Sequence, residues 1–311
     1  MRIAVVDIGT NSTRLLIADV DPATRAVTDI ERHTTVTRLG QGVDHTGELA
    51  PEAMDRVLAA LTGYRAIIDA NGVDATTGVL TSAVRDARNG ARFAADVNER
   101  FAVDAHVITG DQEARLTYLG ATSDRAGDDG GARRVVVDIG GGSTELVVGH
   151  AATVDFHVST QAGVVRQTER FLRSDPPRPE ELQQLQAEAR EIFTTAVVAA
   201  ERRAVSKGIA VAGTATSCAA ILQDLEPYDP TKVHGFRLLR AQAEMLLARL
   251  AALTTEQRRH VKGLHPDRAQ AIVAGVILLI EAMRTFDLDE VEVSEHDILR
   301  GAALDRSAAS A

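Results

Sequence analysis

The stretch Asp138-Ile139-Gly140-Gly141-Gly142-Ser143-Thr144-Glu145 decides how this chain is read. It joins the apolar run Val135–Val137 to the apolar run Leu146–Val148, as a tight turn joins two strands. A carboxylate closes the first strand, consecutive glycines bare the backbone, and a second carboxylate opens the next strand. Bare backbone of this kind turns its N–H groups outward, and such nests bind anions. Glycine permits both the dihedrals and the close approach that this needs. Carboxylates beside a phosphate share hard divalent cations such as Mg²⁺. The stretch reads as a phosphate-and-metal cradle.

The pattern occurs a second time. Asp7-Ile8-Gly9-Thr10-Asn11-Ser12-Thr13-Arg14-Leu15-Leu16 matches it position for position, with Asp, Ile, Gly, Ser, Thr and Leu recurring in register. The apolar run Ile3–Val6 precedes this copy as Val135–Val137 precedes the other. Two copies so far apart do not make a solenoid. They predict two like domains facing each other across a cleft. Where the second copy has Glu145 the first has Arg14, so one wall is expected to offer an acid and the other a base.

The length of 311 residues suits two domains of roughly 150 residues each, and a hydrophobic fraction of 45% supports a sizeable core. A net charge of −10 argues against a nucleic-acid or anionic-membrane surface. A polyanionic ligand would then need local arginines and a metal. The single cysteine, Cys218, excludes an internal disulfide framework and fits a reducing cytoplasm. A strand pattern starting at Arg2 leaves no leader to read, and the longest apolar run is too short for a bilayer.

Beyond the first hairpin, Thr77–Thr81 reads as a short buried strand and Ser82–Asn89 as the loop at its carboxyl end. Open α/β sheets bind ligands there, which singles out Arg85. Arg88 reads as solvated. After the strand Val103–Ile108, Thr109 with Gln112 fits a capping box, which leaves Glu113 outside the cap. With Gly110 as the cap, Glu113 becomes an ordinary first-turn acid; local signals leave both registers open. Ser123–Arg133 is polar, glycine-rich and aperiodic, and reads as the linker between domains 1–125 and 126–311, with the last helix folding back on the first domain. Glu180–Ala204 reads as one long amphipathic helix. Gly213-Thr214-Ala215-Thr216 again places a glycine and hydroxyls between a strand and a helix. Lys232 and His234 are candidate phosphate contacts on the following loop.

Taken together, these residues resemble the actin/hexokinase/Hsp70 phosphotransfer superfamily and, within it, the exopolyphosphatase/guanosine pentaphosphate phosphohydrolase (Ppx/GppA) family. The ordered set Asp7–Ser12, Thr81–Asn89, Gly110–Ala114, Asp138–Glu145, Gly213–Thr216 and Val233–Gly235 carries that resemblance across nearly the whole chain. It implies an α/β fold of two ribonuclease H-like (actin-like ATPase) domains, mixed sheets flanked by helices, with the active site in the interdomain cleft. Glu113 is implied as the general base for water. Glu145 and Asp138, with Asp7, are implied to hold Mg²⁺, with Mn²⁺ as a substitute, and Glu145 to help place that water. Asn11, Ser12, Arg85, Gly141, Gly142, Ser143 and Thr144 are implied to grip the phosphoryl group, with Gly213 and Thr214 lining the second domain's share. The family often carries Glu-Glu where this chain has Gln112-Glu113, and Ser-x-x-Gly-Leu-Arg-Glu-Gly where it has Ser294–Gly301.

The implied activity is Mg²⁺-dependent release of orthophosphate from the end of inorganic polyphosphate by a cytoplasmic homodimer with neither nucleic-acid nor membrane partners. The alternatives are hydrolysis of pppGpp or other nucleotides, a small-molecule kinase of the same superfamily, and a non-catalytic alarmone sensor. A sensor would gain little from acids set beside a polyanion, and no clear nucleoside pocket or hydroxyl-directed Asp base is legible for a kinase.

Overall fold

The computed structural model describes residues 1–125 and 132–309. The chain forms two compact units, Met1–Ala126 with His296–Ala311, and Gly127–Glu295. The polar stretch Ser123–Arg133 lies largely outside the described residues.

The first unit is built on strands β1 (Arg2–Ile8), β2 (Ser12–Val20), β3 (Val27–Val36), β4 (Ala75–Leu80) and β5 (Ala105–Val107). They form a five-stranded mixed sheet in the order β3-β2-β1-β4-β5. β1 pairs antiparallel with β2 and parallel with β4. Central β1 reads Ile-Ala-Val-Val because both its faces are covered, whereas edge strand β3 is mostly polar and exposed.

The second unit repeats the plan with β6 (Arg134–Ile139), β7 (Thr144–His150), β8 (Thr153–Thr160), β9 (Lys207–Val211), β10 (Arg237–Leu239) and β11 (Glu290–Val293). Its six strands run in the order β10-β11-β9-β6-β7-β8. Thus β6, β7, β8, β9 and β11 take the places of β1 to β5, and β10 is an added edge strand, antiparallel to β11. The duplication seen in the two glycine turns extends through both sheets.

In the first unit the helices Gly110–Ala121 and Ile298–Ala308 cross at very close range. A Cβ on Gly120 would lie 1.8 Å from the Asp297 carbonyl, and one on Gly301 would lie 1.8 Å from the Leu116 carbonyl. Glycine is required on both sides of this crossing. Leu299, Ala303 and Leu304 of the second helix join Ile3, Val5 and Leu16 of the sheet in one apolar cluster.

Two local expectations are corrected. Ser82–Asn89 is not all loop, because Ser82–Asp86 forms a short helix whose start is tied to the first hairpin turn by Ala83 N–H donating to Thr10 Oγ1 at 3.2 Å. The long helix over 180–204 is two helices, Pro179–Ala196 and Ala199–Ala204. Between them Val197 and Val198 are extended, and Val197 is fully buried. Paired β-branched residues favour that backbone, and seating Val197 in the core outweighs continuing the helix. Among the described residues, no helix is long and apolar enough to cross a membrane.

Candidate active site

The two hairpin turns have the same backbone. In β1–β2, Asp7 sits opposite Arg14 and Gly9 N–H donates to the Ser12 carbonyl at 3.0 Å. In β6–β7, Asp138 sits opposite Glu145 and Gly140 N–H donates to the Ser143 carbonyl at 3.0 Å. Asn11 lies in the first turn and Ser12 opens β2, while Gly141, Gly142 and Ser143 occupy the second turn.

In the first unit Asp7 is buried. Its Oδ2 accepts from Arg14 Nε at 2.8 Å, while its Oδ1 is buried without a hydrogen-bond partner. Burial pushes this carboxyl above its ordinary value, against the pull of Arg14. Arg14 also pairs with Asp297, and Arg32 Nη2 reaches the same Asp297 oxygen at 3.0 Å. Burial acts to raise Asp297 as well, but the two guanidiniums outweigh it and hold the carboxyl below its ordinary value. Arg14, expected as a base offered to ligand from one wall, is thus shared between two buried acids of its own unit. The altered stretch Ser294–Gly301 supplies one of those acids. Arg300 of the same stretch donates to Asp29 Oδ1 at 3.0 Å and to the Val27 carbonyl at 3.0 Å, which ties the last helix to β3.

The register left open at Glu113 is resolved by the cap. Thr109 Oγ1 accepts from Gln112 N–H at 3.2 Å, and Gln112 Oε1 accepts from Thr109 N–H at 2.9 Å. Gln112 therefore completes the capping box, and the buried Glu113 side chain lies outside it. Arg85 Nη1 donates to Glu113 Oε2 at 2.9 Å and to the Ile108 carbonyl at 3.0 Å. One arginine from the β4 end thus holds both the acid and the end of the neighbouring segment. Arg88 instead spans exposed Glu48 and the Thr46 carbonyl.

In the second unit Asp138 and Glu145 are both buried, 7% and 1% exposed, at a single cross-strand position. Ser159 Oγ, from β8, donates to Glu145 Oε1 at 2.7 Å. Thr144 is fully buried and its hydroxyl donates to the Ala162 carbonyl, bracing the turn against the segment after β8. At the end of β9, Ala212 has a left-handed φ of 63°, a conformation that costs a non-glycine residue energy and recurs at functional sites. Gly213 and Thr214 follow it. Arg268 Nη1 donates to the Gly213 carbonyl at 3.1 Å and to Ser217 Oγ at 2.9 Å. Lys232 is exposed beside Asp229, and His234 Nδ1 lies 3.3 Å from the Glu295 N–H. Burial pushes the Cys218 thiol up to about 12, which leaves it an inert core group.

Sequence reading alone did not single out Ser159, Arg268 or Asp297. Ser159 had a usable signal, because a hydroxyl two strands from the first and directly across from a carboxylate is a cross-strand pair. Asp297 had none, since its partners lie at the other end of the chain.

Two repeated units, each a mixed sheet whose first hairpin carries an Asp before a glycine-bearing turn, define an actin-like α/β protein. The chain belongs to the Ppx/GppA phosphatase family, whose description matches residues 16–307. It is 39% identical over 314 residues to Exopolyphosphatase 2 of Mycobacterium tuberculosis, covering 97% of this chain and 98% of that one. The structure of an exopolyphosphatase from Cytophaga hutchinsonii superimposes with a TM-score of 0.89 at 26% identity, covering 99% of this chain and 98% of the other. The Aquifex aeolicus Ppx/GppA family member gives 0.83 at 29% identity, with 100% and 98% covered.

Proposed function

We propose that this chain is an exopolyphosphatase, a phosphoanhydride hydrolase that releases the terminal orthophosphate of inorganic polyphosphate. The observation that carries the reading is Glu113: a buried carboxylate, not needed by its helix cap, held by Arg85 at the carboxyl end of the first unit's sheet. Phosphoryl transfer needs positioning and charge neutralisation more than covalent help. Glu113 takes the proton from the attacking water. Arg85 and the N–H groups of the glycine turn offset charge on the phosphoryl oxygens.

Asp138, Glu145 and Asp7 are the residues that would hold Mg²⁺, or Mn²⁺ in its place. Each offers a hard carboxylate oxygen, the donor type such a cation prefers, and Asp7 Oδ1 is a buried oxygen without a hydrogen-bond partner. Bound there, the metal supplies positive charge to the phosphate oxygens. Ser159 keeps Glu145 oriented through its hydrogen bond. A cytoplasmic location fits the lone, buried cysteine, and a homodimer is the assembly the family resemblance implies.

The test is phosphate release from polyphosphates of defined length, from pppGpp and from ATP, with Mg²⁺ and after chelation. Polyphosphate should be turned over fastest, and chelation should abolish release until Mg²⁺ is restored. Preference for pppGpp would reassign the substrate to the alarmone. Transfer of phosphate to a sugar or acid instead of water would make the chain a kinase. Tight pppGpp binding without turnover would make it a sensor.

A further inference from the structure

Both hairpin turns are gripped from behind by the segment that follows the third strand of their own unit. In the first unit, Gly40 N–H donates to the Thr10 carbonyl at 2.8 Å, and the N–H groups of Thr37 and Arg38 donate to the Asn11 carbonyl at 3.0 and 2.9 Å. In the second, Val164 N–H donates to the Gly140 carbonyl at 2.9 Å, and Val165 N–H to the Gly141 carbonyl at 2.8 Å. The Gly142 carbonyl is held differently. Its donor is a side chain, Arg166 Nε, at 3.0 Å.

In a trans peptide the C=O and the following N–H point in opposite directions. Pinning the carbonyls of Gly140, Gly141 and Gly142 on one side therefore aims the N–H groups of Gly141, Gly142 and Ser143 to the other. Among the described residues, no protein group accepts from those three N–H groups. The approach is possible because residue 163 is glycine: a Cβ there would lie 2.3 Å from the Gly141 carbonyl oxygen. The first unit fixes its turn with backbone donors, which no substitution other than proline removes. In the second unit the Gly142–Ser143 peptide follows two other glycines that resist rotation poorly, and a side chain holds its carbonyl.

We propose that Arg166 is a positioning residue for the phosphate cradle: its Nε–H fixes the Gly142–Ser143 peptide so that the Ser143 N–H faces the phosphoryl group. The inference rests on the cradle described above, and its test separates it from the substrate assignment. Gln places an N–H donor at the position of Arg Nε without the charge, and Met has the same length without a donor. Arg166→Met should lower kcat/KM on polyphosphate by about 10- to 100-fold, the loss typical when a residue that orients a functional group is removed, with most of the loss in kcat. Arg166→Gln should stay within about threefold of wild type, because the neutral hydrogen bond survives. In parallel, the ¹⁵N-serine amide resonance of Ser143 is followed during titration with inorganic orthophosphate. It should shift in wild type and in Arg166→Gln, and stay still in Arg166→Met.

A Met variant that matches wild type in both measurements overturns the proposal. So does a Gln variant as impaired as Met, which would mean the charge is what matters. Should the Met variant fail to fold, the Gln variant decides by its Ser143 response: retained, the proposal stands; lost, it falls. A wild-type chain that ignores polyphosphate yet shows the Arg166-dependent shift would remove the substrate assignment and leave the positioning role intact.

Discussion

Glu113→Gln is expected to lower the rate of phosphate release from polyphosphate by about 10²- to 10⁴-fold, the usual contribution of a positioned general base. The amide is the same size as the carboxylate and still offers Arg85 an oxygen acceptor, so the fold and the unfolding midpoint should hardly change. Gln112 caps the helix through its own amide oxygen, so the substitution leaves the cap untouched. The loss should therefore fall on kcat, with KM for the polymer nearly constant. Steady-state kinetics beside a thermal unfolding curve checks both halves. A folded Glu113→Gln enzyme of full activity would take the proton-acceptor role away from this residue.

Asp297→Ala is expected to have the largest effect on stability. The Asp297 side chain is 3% exposed and receives both Arg14 and Arg32. Removing it leaves two guanidiniums close together, with Arg14 still drawn to Asp7 but Arg32 left without the buried acid they share. Breaking a buried ion pair by deleting one partner costs about 3–5 kcal/mol, and urea denaturation of the whole chain reads it directly. The pH dependence has a definite sign. Because the Asp297 carboxyl is held below its ordinary value of 3.8, its contribution is present at neutral pH and is lost as pH falls through that lowered value. The stability gap between wild type and variant should thus be present at neutral pH and close on acidification below the ordinary carboxylate range.

How much of this could be read in advance depends on the range of the forces involved. The Asp-Ile-Gly hairpins were legible because one backbone geometry imposes the same residues on both copies, and the Asp7–Arg14 and Asp138–Glu145 registers bear the alignment out. Glu113 was half legible: Thr109 and Gly110 can each cap a helix, and only the hydrogen bonds of Gln112 choose between them. The break at Val197 was hidden because the helical stripe continues through it, and the core contact that wins is tertiary. Asp297 was read only as a departure from a motif. Its meaning lies in arginines on β2 and β3, which no local pattern connects to it. Arg166 had no local signal, because the carbonyl it holds, on Gly142, lies 24 residues earlier in the chain.

In the proposed reaction water attacks the terminal phosphoryl group of polyphosphate. Hydrolysis of a defined-length polyphosphate in H₂¹⁸O with Mg²⁺, followed by mass spectrometry of the orthophosphate and the shortened polymer, tests this most directly. One solvent ¹⁸O should appear in each released orthophosphate and none in the remaining chain. Label in the polymer, or phosphate passed to an acceptor other than water, would contradict it.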